Sequence, residues 1–172
     1  MEIKLFDESD KRYYRGDLIN LLIESDNDFV PPLSKRNSPR DMSFSVDSEK
    51  SDGISSYYDS MSSGRILAAI SCGRVVGFVA FWENYEGGAT PNIYVSTLVV
   101  AKSARGNGLT AKMYDYLFNE LYSDRAVYTR TWSTNSAHTR ILQRFGFSEF
   151  KRIRDDRGVG IDTVYFEREA VS

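Results

Sequence analysis

The sequence predicts a mixed α/β fold in one domain, residues 1–172, and three observations carry that expectation. First, an apolar run at 94–100 leads into a polar, glycine-bearing turn at 102–108. An amphipathic stretch follows at 109–122 and puts Leu109, Met113, Tyr116, Leu117 and Leu121 on one face. That is strand, tight turn, helix. Second, strand-like and helix-like runs alternate along the whole chain. Third, 41% hydrophobic and 13% aromatic content are globular values, and the length suits one core.

Taken in order, residues 3–6 read as an edge strand. Residues 17–24 read as a helix, with Leu18, Leu21 and Leu22 on one side. The run Asp26-Asn27-Asp28-Phe29-Val30-Pro31-Pro32-Leu33 ends it, because a residue before proline avoids the helical region. Residues 34–53 are polar, rich in serine and charge, and read as a surface loop or a lid over a substrate. A helix is expected at 54–61, stopped by Gly64. Residues 65–71 and 75–82 form a hairpin around Cys72-Gly73-Arg74. A glycine-containing connection, 83–91, leads to the apolar run at 94–100.

After the helix at 109–122 comes a strand at 126–132. Thr134 or Asn135 then caps a helix that runs to Phe145 and stops at Gly146. Residues 147–154 and 161–167 make a last hairpin. The order is strand, two helices, three strands, helix, strand, helix, two strands.

Net charge is −2, from 22 basic and 24 acidic side chains, so there is no electrostatic case for nucleic acid or an anionic membrane as partner. The one cysteine, Cys72, excludes an intrachain disulfide and suits a reducing compartment. No signal-peptide core or membrane-length apolar run is present, so a cytoplasmic protein is expected. The single histidine, His138, leaves no multi-histidine metal site, and no metal is expected.

The turn at 102–108 presents backbone N–H groups at the positive end of a helix dipole, a seat for an anion. Gly106 and Gly108 suit it, since a Cβ would block close approach of a phosphate. The bland alternative is a turn that binds nothing. Gly106-Asn107-Gly108-Leu109-Thr110-Ala111 also satisfies a dinucleotide pattern, but the next strand ends in Trp132-Ser133-Thr134, without the carboxylate that a ribose requires. A Walker-type loop is excluded, because no Gly-Lys-Ser/Thr follows.

Arg105-Gly106-Asn107-Gly108-Leu109-Thr110 resembles the acyl-CoA loop of the GNAT superfamily of N-acetyltransferases, R/Q-x-x-G-x-G/A. A second signature of that family follows in Asn135, Leu142 and Phe145-Gly146-Phe147, and the resemblance spans residues 66–167. It implies a mostly antiparallel sheet flanked by helices, with acetyl-CoA as co-substrate. Backbone groups of Leu98, Val99 and Val100 would hold the pantetheine arm, and the Val100 amide would lie near the thioester carbonyl. Arg105, Gly106, Asn107, Gly108, Leu109 and Thr110 would hold the pyrophosphate, and Asn135 would touch the arm. Thr110 stands where the family prefers Gly or Ala.

The resemblance also shows two departures. Ser96 falls where a carboxylate base is common, and Leu142 where a tyrosine often protonates the departing thiolate. Glu83 is the substitute base expected beside the acceptor, followed by Glu86 and Tyr94; otherwise the role passes to Ser96 and water. His138 reads as a packing residue or a proton donor. Asp26, Asp28 and Phe29 are expected to face the acceptor, with the carboxylates suiting a cationic amine; the alternative is that they are helix-terminal polar residues. The implied function is transfer of an acetyl group to a primary amine, on a small molecule or peptide, by direct attack in a ternary complex. The alternative is a GNAT-fold domain that binds CoA without catalysis. A homodimer is allowed.

Overall fold

The computed structural model describes residues 1–36 and 53–171. Most of the stretch read as a loop or lid, residues 37–52, lies outside the described residues. Seven strands form one sheet: β1 (Glu2–Leu5), β2 (Arg65–Ser71), β3 (Arg74–Glu83), β4 (Asn92–Val100), β5 (Ala126–Trp132), β6 (Ser148–Ile153) and β7 (Thr163–Arg168). Their order across the sheet is β1-β2-β3-β4-β5-β7-β6. Every neighbouring pair is antiparallel except β4 and β5, which run parallel. A helical crossover joins that pair, as parallel strands require.

The helices are α1 (Glu8–Tyr13), α2 (Arg15–Ser25), α3 (Ile54–Ser62), α4 (Leu109–Asp115) and α5 (Ser136–Arg144). A π-helical segment, Tyr116–Leu121, continues α4. The sequence pattern missed α1. Four of its six residues are charged, so no apolar stripe marks it. A capping box holds it instead: Asp7 Oδ1 accepts from the Asp10 amide at 2.8 Å, and the Asp7 amide donates back to Asp10 Oδ2 at 3.1 Å.

Alternation along the central strands builds a core on each face of the sheet. Leu67, Val79, Phe81 and Val95 meet Met113, Leu117, Phe118 and Leu142 on the α4 face. Ile66, Ala68, Phe78 and Ala80 meet Leu18, Leu22, Tyr57 and Met61 on the other. Val95 and Val99 are four residues apart yet lie in opposite cores. The cause is a β-bulge. Ala80 pairs with Thr97 and Phe81 with Val95, so Ser96 is the extra residue, and the pleat changes sides there.

Lys11 ties α1 to the end of α3. Its buried ammonium donates to the carbonyls of Ser62 at 2.9 Å and Gly64 at 2.8 Å, and pairs with Glu8 at 2.7 Å. Lys11→Met would leave both carbonyls without that donor. It is expected to cost about 2 kcal/mol, the scale of lost charge-assisted bonds, read as a lower urea midpoint at unchanged m.

Candidate active site

The site arises where β4 and β5 part. Their parallel ladder runs from Asn92–Ala126 to Val95–Thr129 and stops there. Beyond it, β4 continues through Ser96 to Val100 and β5 through Arg130 to Trp132, without pairing. The bulge at Ser96 sits at the point of divergence and turns β4 away. A cavity of about 310 Å³ fills the wedge. Leu98, Val99, Val100, Arg105, Thr110 and Asn135 all line it. Ser96 lines it too, with its hydroxyl donating to the Ala80 carbonyl at 3.2 Å.

Arg105 and Thr110, which bracket the glycine turn, line the cavity, while residues 106–109 between them do not. Gly108 is the N-cap of α4 in the left-handed region, at φ 72°, and Gly106 has φ 78°. A Cβ on either would point into open space, so the turn leaves a shallow cradle before the first amides of α4. Those amides have no partner within the helix. Arg105 folds back over the turn. Its Nε donates to the Val100 carbonyl at 3.0 Å, and its guanidinium pairs with Asp28 at 2.8 Å. A helix start, a cradle and a cation together favour an anion.

One wall comes from α5. Asn135 caps this helix: its Oδ1 accepts from the His138 amide at 3.4 Å, and its Nδ2 donates to Thr131 Oγ1 at 3.2 Å. Ala137, His138 and Ile141 complete the wall. His138 Nε2 lies 2.8 Å from the Tyr114 hydroxyl. Desolvation pushes its imidazole down to about 4, so it is neutral at pH 7. Leu142 is fully buried in the core and offers the cleft nothing.

The opposite end is lined by Phe29, Arg36, Thr97, Arg130, Trp132 and Arg157. Thr97 Oγ1 sits 2.7 Å from the Tyr57 hydroxyl. Tyr94 projects to the same face of the sheet as Tyr57, and burial pushes its phenol up to about 12.

The carboxylates expected around a cationic acceptor do not gather. Asp26 accepts from the amide and hydroxyl of Ser34, both at 2.8 Å. Asp28 lines the cleft but is engaged by Arg105. Glu83 accepts from the Tyr122 hydroxyl at 2.7 Å and lies 3.5 Å from Arg125. It pairs with Ile93, in the stretch where β4 and β5 are still zipped together, and does not line the cleft. Glu86 is exposed on the 84–91 connection, none of which lines the cleft.

Sequence reasoning missed the arginines. Arg130 had a signal, since Thr129-Arg130-Thr131 places polar residues inside a buried strand. Arg157 had none; its cleft position depends on a bond to the Val30 carbonyl at 2.8 Å, across 127 residues of chain.

Among the described residues, no group of three His, Cys, Asp or Glu side chains could hold a metal, and no helix is long and apolar enough to cross a membrane. No curated protein matches the chain significantly. Solved structures share the fold. An aminoglycoside 6′-N-acetyltransferase from Enterococcus faecium is 15% identical with a TM-score of 0.69, covering 100% of this chain and 98% of that one. Another such enzyme, in complex with coenzyme A, is 14% identical with a TM-score of 0.67, covering 100% and 98%. A ribosomal-protein-alanine N-acetyltransferase from Brucella melitensis is 17% identical with a TM-score of 0.65, covering 98% and 99%. The Acetyltransferase (GNAT) family model matches residues 34–147, and the chain belongs to that family.

Proposed function

We propose that the chain moves an acetyl group from acetyl-CoA to a primary amine, on a small molecule or peptide, within one domain. The observation that supports this most is the wedge between β4 and β5 opening beside the glycine cradle of α4. The cradle suits a pyrophosphate, and the unzipped edges of Leu98–Val100 suit a chain of amides. Asn135 lines the same wedge, which supports its contact with that chain. When bound, acetyl-CoA supplies an activated acyl group: the amine nitrogen bonds to the carbonyl carbon, the C–S bond breaks, the nitrogen sheds a proton and the thiolate gains one.

The residues of the chain then have limited tasks. The amides that edge the wedge near Val100 hold the carbonyl oxygen as charge builds on it. Positioning of the two reactants supplies much of the rate. No phenol replaces a tyrosine at Leu142, and neutral His138 is no strong acid. A thiolate, with a parent pKa of about 8.5, takes its proton from water or from the product ammonium. Ser96 and Thr97 offer hydroxyls that order water at the attack site. A cytoplasmic setting suits the unpaired, exposed Cys72.

Calorimetric titration with CoA, followed by a thiol-release assay on an amine panel, tests this reading. Saturable binding and amine-dependent CoA release are expected. Binding without release from any amine would favour a CoA-binding domain that has lost catalysis.

A further inference from the structure

We infer that the acceptor amine carries an anionic group, a carboxylate or a phosphate, held by Arg36, Arg130 and Arg157. This rests on the transferase reading for the identity of the reacting amine, but the arginine site itself stands on its own geometry.

The three guanidiniums share one end of the cleft. Phe29 and Trp132 touch there, with ring centroids 5.6 Å apart. Arg36 lies over Phe29 at 5.1 Å, and Arg157 lies over Trp132 at 5.6 Å. Both arginines donate to the same carbonyl, that of Val30, at 3.4 Å and 2.8 Å. Arg130 is two residues before Trp132 on β5 and projects to the same face of the sheet. Arg36 also donates to the Pro31 carbonyl, and Arg157 to Thr163. These anchors fix the guanidiniums of Arg36 and Arg157 before any ligand arrives, which limits the ordering cost of binding.

Among the described residues that line this end of the cleft, the charged side chains are all arginines. Among the described lining residues the only carboxylate is Asp28, which pairs with Arg105 at the other end. Two further carboxylates act from behind. Asp26 is bonded to Ser34, and Asp156 accepts from the Thr163 hydroxyl at 2.6 Å. Neither of these two lines the cleft. Burial, reinforced by Arg36 and Arg130, pushes Arg157 down to about 9. Burial also pushes Arg36 down, and Arg130 acts in the same direction. The facing phenols, Tyr57 and Tyr94, are held above their ordinary range by burial and stay neutral.

Like charges gathered in a partly dry cleft oppose one another, and an oxyanion relieves that repulsion. A dication or polyamine would add to it. The same field acts on the amine. Nearby positive charge disfavours the ammonium form, so more of the acceptor arrives as the nucleophilic free base. The arginines thereby take over part of the task that a carboxylate base would perform, in a cleft where that position is Ser96.

The test uses the full chain with saturating acetyl-CoA. The probes are the common α-amino acids, β-alanine and O-phosphoethanolamine, then their uncharged counterparts (the amides and ethanolamine), putrescine and spermidine. Thiol release should show kcat/KM at least about thirtyfold higher for the best anionic amine than for its uncharged counterpart, the scale of charged hydrogen bonds. The carboxylate and phosphate probes identify which oxyanion is taken. Arg130→Gln should raise KM for that amine at least about tenfold and erase the preference, with CoA affinity unchanged. Arg157→Lys, which keeps the charge but not the fork, is the second variant and should raise KM in the same direction.

The melting temperature of the CoA complex provides a readout independent of turnover. Stabilisation by an anionic amine, lost in Arg130→Gln, without CoA release, would uphold the anion site and sink the transferase reading. Turnover that favours uncharged amines or polyamines would overturn the anion site and leave the transferase reading intact. Neither turnover nor stabilisation with any anionic probe would also overturn it.

Discussion

Gly108→Val should abolish measurable CoA binding while the protein stays folded. Two effects combine. Gly108 holds φ 72°, a left-handed conformation that costs an ordinary residue ~1–2 kcal/mol and a β-branched one more. The new side chain would also fill the open space beside the first amides of α4. Calorimetry should show at least a hundredfold loss of CoA affinity, with native circular dichroism. Gly108→Asn separates the causes, because asparagine tolerates the left-handed region but still carries a Cβ. If occlusion dominates, the asparagine variant also loses CoA; if strain dominates, it keeps affinity and melts near wild type. Full affinity in the valine variant would remove the cradle from the site.

Acid should destabilise the protein through His138. Desolvation lowers its folded pKa from the ordinary 6.5 to about 4, while the unfolded chain keeps the ordinary value. Between those two values the unfolded state binds more protons. The contribution of His138 to stability is therefore complete above about pH 6.5 and is lost as pH falls toward about 4. The ring lies along the cleft wall and is only partly shielded from water, so the expected loss is ~1–3 kcal/mol, below the full value of the shift. Urea midpoints at pH 7, 5.5 and 4.5 measure it. His138→Gln should remove most of that slope. It should also lower kcat less than tenfold, since a neutral imidazole bonded to Tyr114 is not a strong acid toward a thiolate. A fall of a hundredfold or more would assign His138 to proton transfer.

Much of the fold was legible because periodicity is a local signal. The strand at 126–132 and the helix beginning at Leu109 follow directly from where their apolar residues recur. The charged α1 was illegible, since its stability comes from a cap and from Lys11 reaching the end of α3. The elements around the end of the cleft proposed for the cofactor were legible for the same reason as the strands. Leu98 to Thr110 is one continuous stretch of strand, turn and helix, so its geometry is written in adjacent residues.

The end proposed for the acceptor was not. It takes Phe29 and Arg36 from the segment after α2, Arg130 and Trp132 from β5, and Arg157 from the last hairpin. Nothing local marks Glu83 as turned toward Tyr122, or Asp28 as spent on Arg105. By itself the sequence determined the order of elements and the glycine cradle, with Ser96 and Leu142 at the positions where the resembling family often carries a carboxylate and a tyrosine. Only the tertiary structure decided that β4 and β5 unzip at the Ser96 bulge, and that Arg36, Arg130 and Arg157 meet at one end of the cleft. Strand pairing and charge convergence depend on contacts between residues far apart in sequence, and no local pattern encodes which side chains such contacts bring together.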